Sequence, residues 1–194
     1  LVEDRDRETD SKGTNFGLTI KYNSADDQWR HRVSLSSAEF DNSNFSDGRN
    51  DGTTESSKVR YQYVGSRLWD KLGQQLSVMV ESEEEEYRQS GGYAFGSDAD
   101  TMIKRNTDSW AFEYRADPLE SLTLGVSARY DKNDRFDDAE TYRLEALYRI
   151  DDQTKMRTTW SSSIKNPTFT ELYGIYYGFS GNPDLKPESS AGWS

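Results

Sequence analysis

The sequence contains no cysteine and a single histidine, His31, among 194 residues. Disulfides and thiolate metal centres are therefore excluded, and a multi-histidine zinc site or a Ser-His-Asp hydrolase has almost nothing to build on. No phosphate loop, nucleophile elbow or metal box is present, so no catalytic residue, metal ligand or cofactor is assigned and an enzyme is not expected. Positive charge is outnumbered, with 24 Lys and Arg against 35 Asp and Glu. The formal net charge of −11 speaks against nucleic acid, which needs a basic surface to displace counterions, and against anionic membrane surfaces. Apolar residues make up only 32%, and no run approaches the ~18 residues of a membrane-spanning helix. That last absence excludes helical spans only. A membrane β-strand needs just ~9–11 residues with alternate positions apolar, which hydropathy averages barely register.

What the chain does have is rings: five Trp, twelve Tyr and eight Phe. Disordered chains are depleted in aromatics, so the low apolar content does not mean disorder. Segment after segment alternates with period two. Phe16, Leu18, Ile20 and Tyr22 share one face of Thr14–Tyr22, and Trp29, Val33 and Leu35 share one face of Gln28–Ser36 with His31 in the same row. The same pattern recurs in Lys58–Val64, Gln75–Glu81, Trp110–Arg115, Leu122–Tyr130, Tyr142–Ile150 and Met156–Ile164. The fold class expected is all-β, an antiparallel meander of about eight strands.

The connections alternate in length. Short links at Asn23–Asp27, Ser66–Leu72, Asp117–Glu120 and Asp151–Gln153 take turns with longer ones at Ser37–Ser57, Arg88–Arg105, Lys132–Asp138 and Lys165–Pro187. That bias belongs to outer-membrane barrels, whose periplasmic turns are short and whose outer loops are long. Alternation alone also fits a soluble sandwich with one wet face. Tyr22, Trp29, Tyr130, Tyr142 and Trp160, however, fall near strand ends, where amphipathic rings meet a membrane-water interface. The opposite rows carry Lys, Arg, Glu, Gln and Ser, suited to a wide, wet interior.

Residues 165–174, "KNPTFTELYG", are followed at 181–190 by "GNPDLKPESS". This pair of segments resembles the signature of TonB-dependent outer-membrane receptors, through Pro167, Phe169, Glu171, Leu172, Tyr173, Gly181, Asn182, Pro183, Leu185, Pro187 and Glu188. The resemblance implies a segment of a 22-stranded transmembrane β-barrel in the outer membrane of a Gram-negative bacterium. It implies uptake of a small-molecule nutrient, an iron–siderophore chelate first and cobalamin as the alternative. It also implies contact with outer-membrane lipid and lipopolysaccharide, and coupling to TonB through a segment not in this chain. Residues 1–194 then form a middle slice of the barrel, with plug and C-terminal strands outside it, because 22 such strands need roughly 400 residues or more. Pro183 and Pro187 fix φ, Gly181 permits a turn closed to other residues, and Asn182 can bond its own backbone, so the loop is stiff. Rigid rings lose little entropy on binding, which makes Tyr173, Tyr176, Tyr177 and Phe179 the candidate ligand contacts. Pro167, Glu171, Leu172, Gly181, Asn182, Pro183, Pro187 and Glu188 are expected to shape the connection itself.

Two acidic stretches compete for attention. "ESEEEEY", Glu81–Tyr87, reads as a solvated loop base at the outer end of a strand, with divalent-ion binding as the sharper reading. Asp41–Glu55 has Asp, Asn and Gly but lacks the ordered calcium-loop pattern. Asp134, Asp137 and Asp138 beside Arg135 read as solvated loop charges, and His31 as a strand residue near an interface. A soluble or surface β domain binding carbohydrate or protein through exposed aromatics is the alternative from another class.

Overall fold

The computed structural model describes residues 6–70, 73–91, 93, 94, 97, 98, 100–176 and 179–194. In chain order the elements are β1 (Arg7–Asn23), β2 (Trp29–Ser46), β3 (Arg49–Trp69), β4 (Gln74–Ser90), β5 (Tyr93–Ala94), β6 (Ser97–Asp98) and β7 (Thr101–Leu119). They continue as β8 (Leu122–Asn133), β9 (Ala139–Arg149), β10 (Lys155–Lys165), α1 (Phe169–Tyr173), β11 (Ile175–Tyr176), β12 (Phe179–Ser180) and β13 (Glu188–Trp193). Nine strands form one sheet in the order β1-β2-β3-β4-β7-β8-β9-β10-β13, while β5 pairs with β6 and β11 with β12. Every neighbouring pair is antiparallel. The all-β meander expected from period-two alternation is the observed fold.

Register turns the alternation into two continuous faces, because residues opposite each other point the same way. One row runs Ile20, Val33, Tyr63, Val80, Trp110 and Tyr130 across six strands. The next runs Tyr22, His31, Gly65, Val78, Phe112, Ala128 and Tyr142. These side chains lie bare: Ile20 is 61% exposed and Tyr22 63%. A single apolar-faced layer cannot hide that face from water by itself, so a second layer from outside the sheet must cover it.

The strands also overshoot the apolar band. Ser37–Ser57, expected as a long connection, is strand except for a two-residue turn at Asp47 and Gly48, with φ of 51° and 73°. Asp-Gly in this left-handed pair suits the tight hairpin turn that matches strand twist. Likewise the acidic run is not a loop base but part of β4. Ser82, Glu84 and Glu86 continue the outward face beyond the last apolar position, Val80, while Glu81, Glu83 and Glu85 lie on the polar face. Past the bilayer nothing requires apolar side chains, so both faces become polar and the strands simply continue.

Candidate ligand-facing lip and polar wall

The polar face carries a ladder of alternating charge across β3, β4, β7 and β8. Lys58 Nζ contacts Glu83 at 2.9 Å and Glu85 at 3.0 Å, and Arg60 Nη2 contacts Glu83 at 2.5 Å. Arg129 Nη2 reaches Glu81 at 3.0 Å, and its Nε donates to Asp131 at 2.7 Å. Gln62 donates to Glu81 at 2.7 Å, and the Ser109 hydroxyl to Asp131 at 2.5 Å. On the outward side Lys104 pairs with Glu86 at 2.9 Å and Glu84 at 3.4 Å. The acidic run is thus neutralised strand by strand, and among the described residues no three metal-ligating side chains gather to hold a cation.

The 166–187 connection folds onto this polar face. It leaves the sheet after Lys165 and re-enters at Glu188, its register partner. Arg105, only 8% exposed, is the first clamp. Its Nε and Nη2 hold Glu85 at 2.7 and 2.6 Å, its Nη1 donates to the Pro167 carbonyl at 3.0 Å, and its guanidinium lies 4.7 Å from the Phe169 ring centroid. Phe169 stacks on Tyr87 at 5.7 Å. Gln89 is the second clamp. This amide, 2% exposed, donates to the Ile175 carbonyl at 2.5 Å and accepts from the Ile175 N–H at 3.1 Å. One side chain thereby imitates the edge of a neighbouring strand.

Within the loop, Thr168 and Glu171 form a reciprocal capping box. The Glu171 carboxylate accepts from the Thr168 N–H at 2.8 Å and the Thr168 hydroxyl at 2.9 Å. The N–H bond first, and the hydroxyl second, hold the Glu171 carboxyl below its ordinary value. Leu172, 4% exposed, buries the apolar side of α1. The chain then doubles back: Gly181 N–H donates to the Gly174 carbonyl and Asn182 N–H to the Glu171 carbonyl, both at 2.8 Å. A Cβ on Gly181 would sit 2.6 Å from the Leu172 carbonyl carbon and the Tyr173 nitrogen, so only glycine fits that crossing. Asn182 Oδ1 accepts from the Asp184 N–H at 3.0 Å, closing the turn that Pro183 occupies.

The structure therefore brings Pro167, Glu171, Leu172, Gly181 and Asn182 into one folded unit, with Pro187 and Glu188 at its return to the sheet. Of the candidate ligand contacts, Tyr173 ends α1 half-buried and Phe179 is 44% exposed in β12. Tyr176 lies in β11, and Tyr177 lies outside the described residues. Sequence reading missed Gln89, Arg105 and Tyr87. Their partners are 62 to 86 residues away, at Pro167 and Ile175 for the two clamps, and no local spacing encodes that. A polar hollow of about 200 Å³ remains between ladder and loop, lined by Lys58, Glu83, Glu85, Arg105, Arg129, Asp131 and Asn166 among others.

A one-layer meander with one bare apolar face, one charged face and a folded loop over the charged side is the wall of a transmembrane β-barrel. The family model for the TonB dependent receptor-like β-barrel matches residues 2–194, and the chain belongs to that family. Such receptors reside in the outer membrane of Gram-negative bacteria, and the soluble β domain drops out as an alternative. The chain is 35% identical over 72 residues to the vitamin B12 transporter BtuB of Vibrio vulnificus, covering 37% of this chain and 11% of that protein. It is 36% identical over 90 residues to the vitamin B12 transporter BtuB of Photobacterium profundum, covering 46% and 12%. The fold superimposes on the siderophore receptor PirA from Pseudomonas aeruginosa with a TM-score of 0.76 at 15% identity, covering 94% of this chain and 34% of that one. The chain thus spans about an eighth or less of the curated relatives and about a third of the solved receptor.

Proposed function

We propose that this chain forms part of the wall and outer lip of a TonB-coupled importer for a bulky metal chelate, an iron–siderophore complex. The observation that carries the reading is the signature loop itself, folded over the polar face by Arg105 and Gln89 rather than projecting into solvent. Tyr173 and Phe179 are held there, and with Tyr176 and Tyr177 they are the rings assigned to grip a large, partly flat solute on its way to the interior. The charged ladder keeps the route wet, and its carboxylates are matched by the cations of the neighbouring strands. Energy comes from TonB through a segment outside this chain. Cobalamin import is the second reading, favoured by the identity to proteins named as vitamin B12 transporters.

Uptake by the source bacterium distinguishes the two. A strain deleted for the whole receptor is supplied with radiolabelled ferric siderophore or radiolabelled cobalamin, with and without TonB. The reading expects loss of ferric-siderophore uptake, restored by the receptor only when TonB is present. Selective loss of cobalamin uptake moves the cargo to the second reading. Wild-type uptake of both, or restoration without TonB, overturns the importer.

A further inference from the structure

At the short-turn end of the bare apolar face stands a cation that, among the described residues, forms no ion pair within 4 Å. Arg67 stands on the outward row of β3, between Trp29 of β2 and Leu76 of β4, which continues to Tyr114 of β7. Its guanidinium carbon lies 4.8 Å from the Trp29 ring centroid and 5.8 Å from that of Trp69. Trp29 stacks on His31 at 6.3 Å, and His31 Nδ1 is hydrogen-bonded to the Tyr63 hydroxyl at 2.8 Å, so this side of the cage is fixed. All of this sits beside the short β1–β2 and β3–β4 connections, at the end where the apolar band stops.

Several arginines of the sheet are held by carboxylates. Arg60, Arg105, Arg129, Arg143 and Arg157 each have a carboxylate partner. Arg67 has ring contacts and, among the described residues, no ion pair within 4 Å. Asp26, in the β1–β2 turn, accepts from the Ser24 hydroxyl and from the Gln28 N–H at 3.2 Å, and these bonds hold its carboxyl low more than the attraction of Arg67, the smallest of the causes. Facing lipid, an arginine without a contacting carboxylate is costly unless it reaches the headgroups. Two indole faces can hold a guanidinium plane while leaving its edge N–H donors pointing away from the rings. A phosphate diester matches such a fork in charge and geometry.

We propose that Arg67, caged by Trp29 and Trp69, is a binding site for the phosphate of a glycerophospholipid in the leaflet at the short-turn end of the barrel. The proposal rests on membership of the barrel family and not on the cargo. Short turns are periplasmic in such barrels, so the ligand comes from the inner leaflet. Acyl chains then run along Leu76, Val78 and Phe112.

The test uses the whole receptor in mild detergent, with native mass spectrometry after adding phosphatidylglycerol or the diacylglycerol of the same chains, which lacks phosphate. Wild type should retain phosphatidylglycerol at least fivefold better than Arg67→Gln, with diacylglycerol retained equally by both. Arg67→Lys, which keeps charge but not the fork, should fall between. Equal phosphatidylglycerol retention by wild type and Arg67→Gln, or a parallel fall for diacylglycerol, would overturn the site. Should Arg67→Gln fail to assemble, judged by unheated gel mobility, wild type against Arg67→Lys and Trp69→Leu decides. No loss of phosphatidylglycerol in either then overturns it as well.

Discussion

Replacing Gln89 by Leu removes the clamp on the aromatic half of the loop while keeping side-chain volume close to that of the original. Gln89 makes two hydrogen bonds to Ile175, as donor at 2.5 Å and acceptor at 3.1 Å, in a site only 2% exposed. At ~0.5–1.5 kcal/mol net for each bond, the docked loop loses about 1–3 kcal/mol, a five- to 150-fold shift toward the released state. The loss stays local because the sheet register does not run through Gln89's side chain. Backbone pairing of Gln89 with Thr101 and Thr54 survives. Hydrogen exchange on the whole receptor reads this directly. The bonded amides of Leu172, Gly174, Ile175, Gly181 and Asn182 should exchange five- to 150-fold faster in the variant, with β9 and β10 amides unchanged. If the loop amides exchange at the wild-type rate, Gln89 does not hold the lip. If β9 and β10 accelerate equally, its role is in the wall and not in docking.

Gly181→Ala drives a Cβ into α1 backbone at 2.6 Å, an overpacking cost of about 1–3 kcal/mol. Proteolysis within 166–187 should rise sharply, whereas Gly17→Ala, with nothing within 4 Å of the new methyl, should leave it unchanged. Arg105→Lys keeps a charge for Glu85 but cannot hold Glu85 and the Pro167 carbonyl in one fork. Exchange of the Leu172 amide should accelerate by about one order of magnitude, corresponding to ~1–1.5 kcal/mol for the lost carbonyl bond. Acid acts on Glu171. Because its folded value is depressed, the capping box is intact above the ordinary carboxylate range and is lost as pH falls through the folded value. Loop exchange, corrected for its intrinsic pH dependence, should therefore speed up on acidification in wild type. It should change much less in Glu171→Gln, which stays neutral throughout.

The strands were legible wherever lipid imposes a rule. From Phe16 to Tyr22, or Leu122 to Tyr130, every second residue must be apolar, and that rhythm survives in the sequence. Above the bilayer the rule lapses. Ser37–Ser57 shows no apolar alternation although it is paired residue by residue, so its Asp47-Gly48 turn signal was buried among other polar residues. The Glu81–Glu86 run reads as a charge cluster in one dimension and as two ion-paired rows once β3 and β7 stand beside it. Asn182 was legible as a turn former, because its bond to the Asp184 N–H is local; Gly181 was legible as a required glycine, but for the wrong reason, since its φ is not left-handed and it is the crossing against α1 that excludes a Cβ. Gln89 and Arg105 were not, since what defines them is a carbonyl and an amide far along the chain.

The account depends most on which side of the sheet meets lipid, and a spin-label scan along β3 measures that. Single cysteines from Tyr61 to Arg67 in the liposome-reconstituted receptor report collision with oxygen, which partitions into lipid, and with a water-soluble nickel chelate; this segment contributes no competing thiol. Positions 61, 63 and 65 should favour oxygen, and positions 62, 64 and 66 the nickel chelate. A profile without period two, or one of opposite phase, would contradict the assignment of the apolar rows to the membrane.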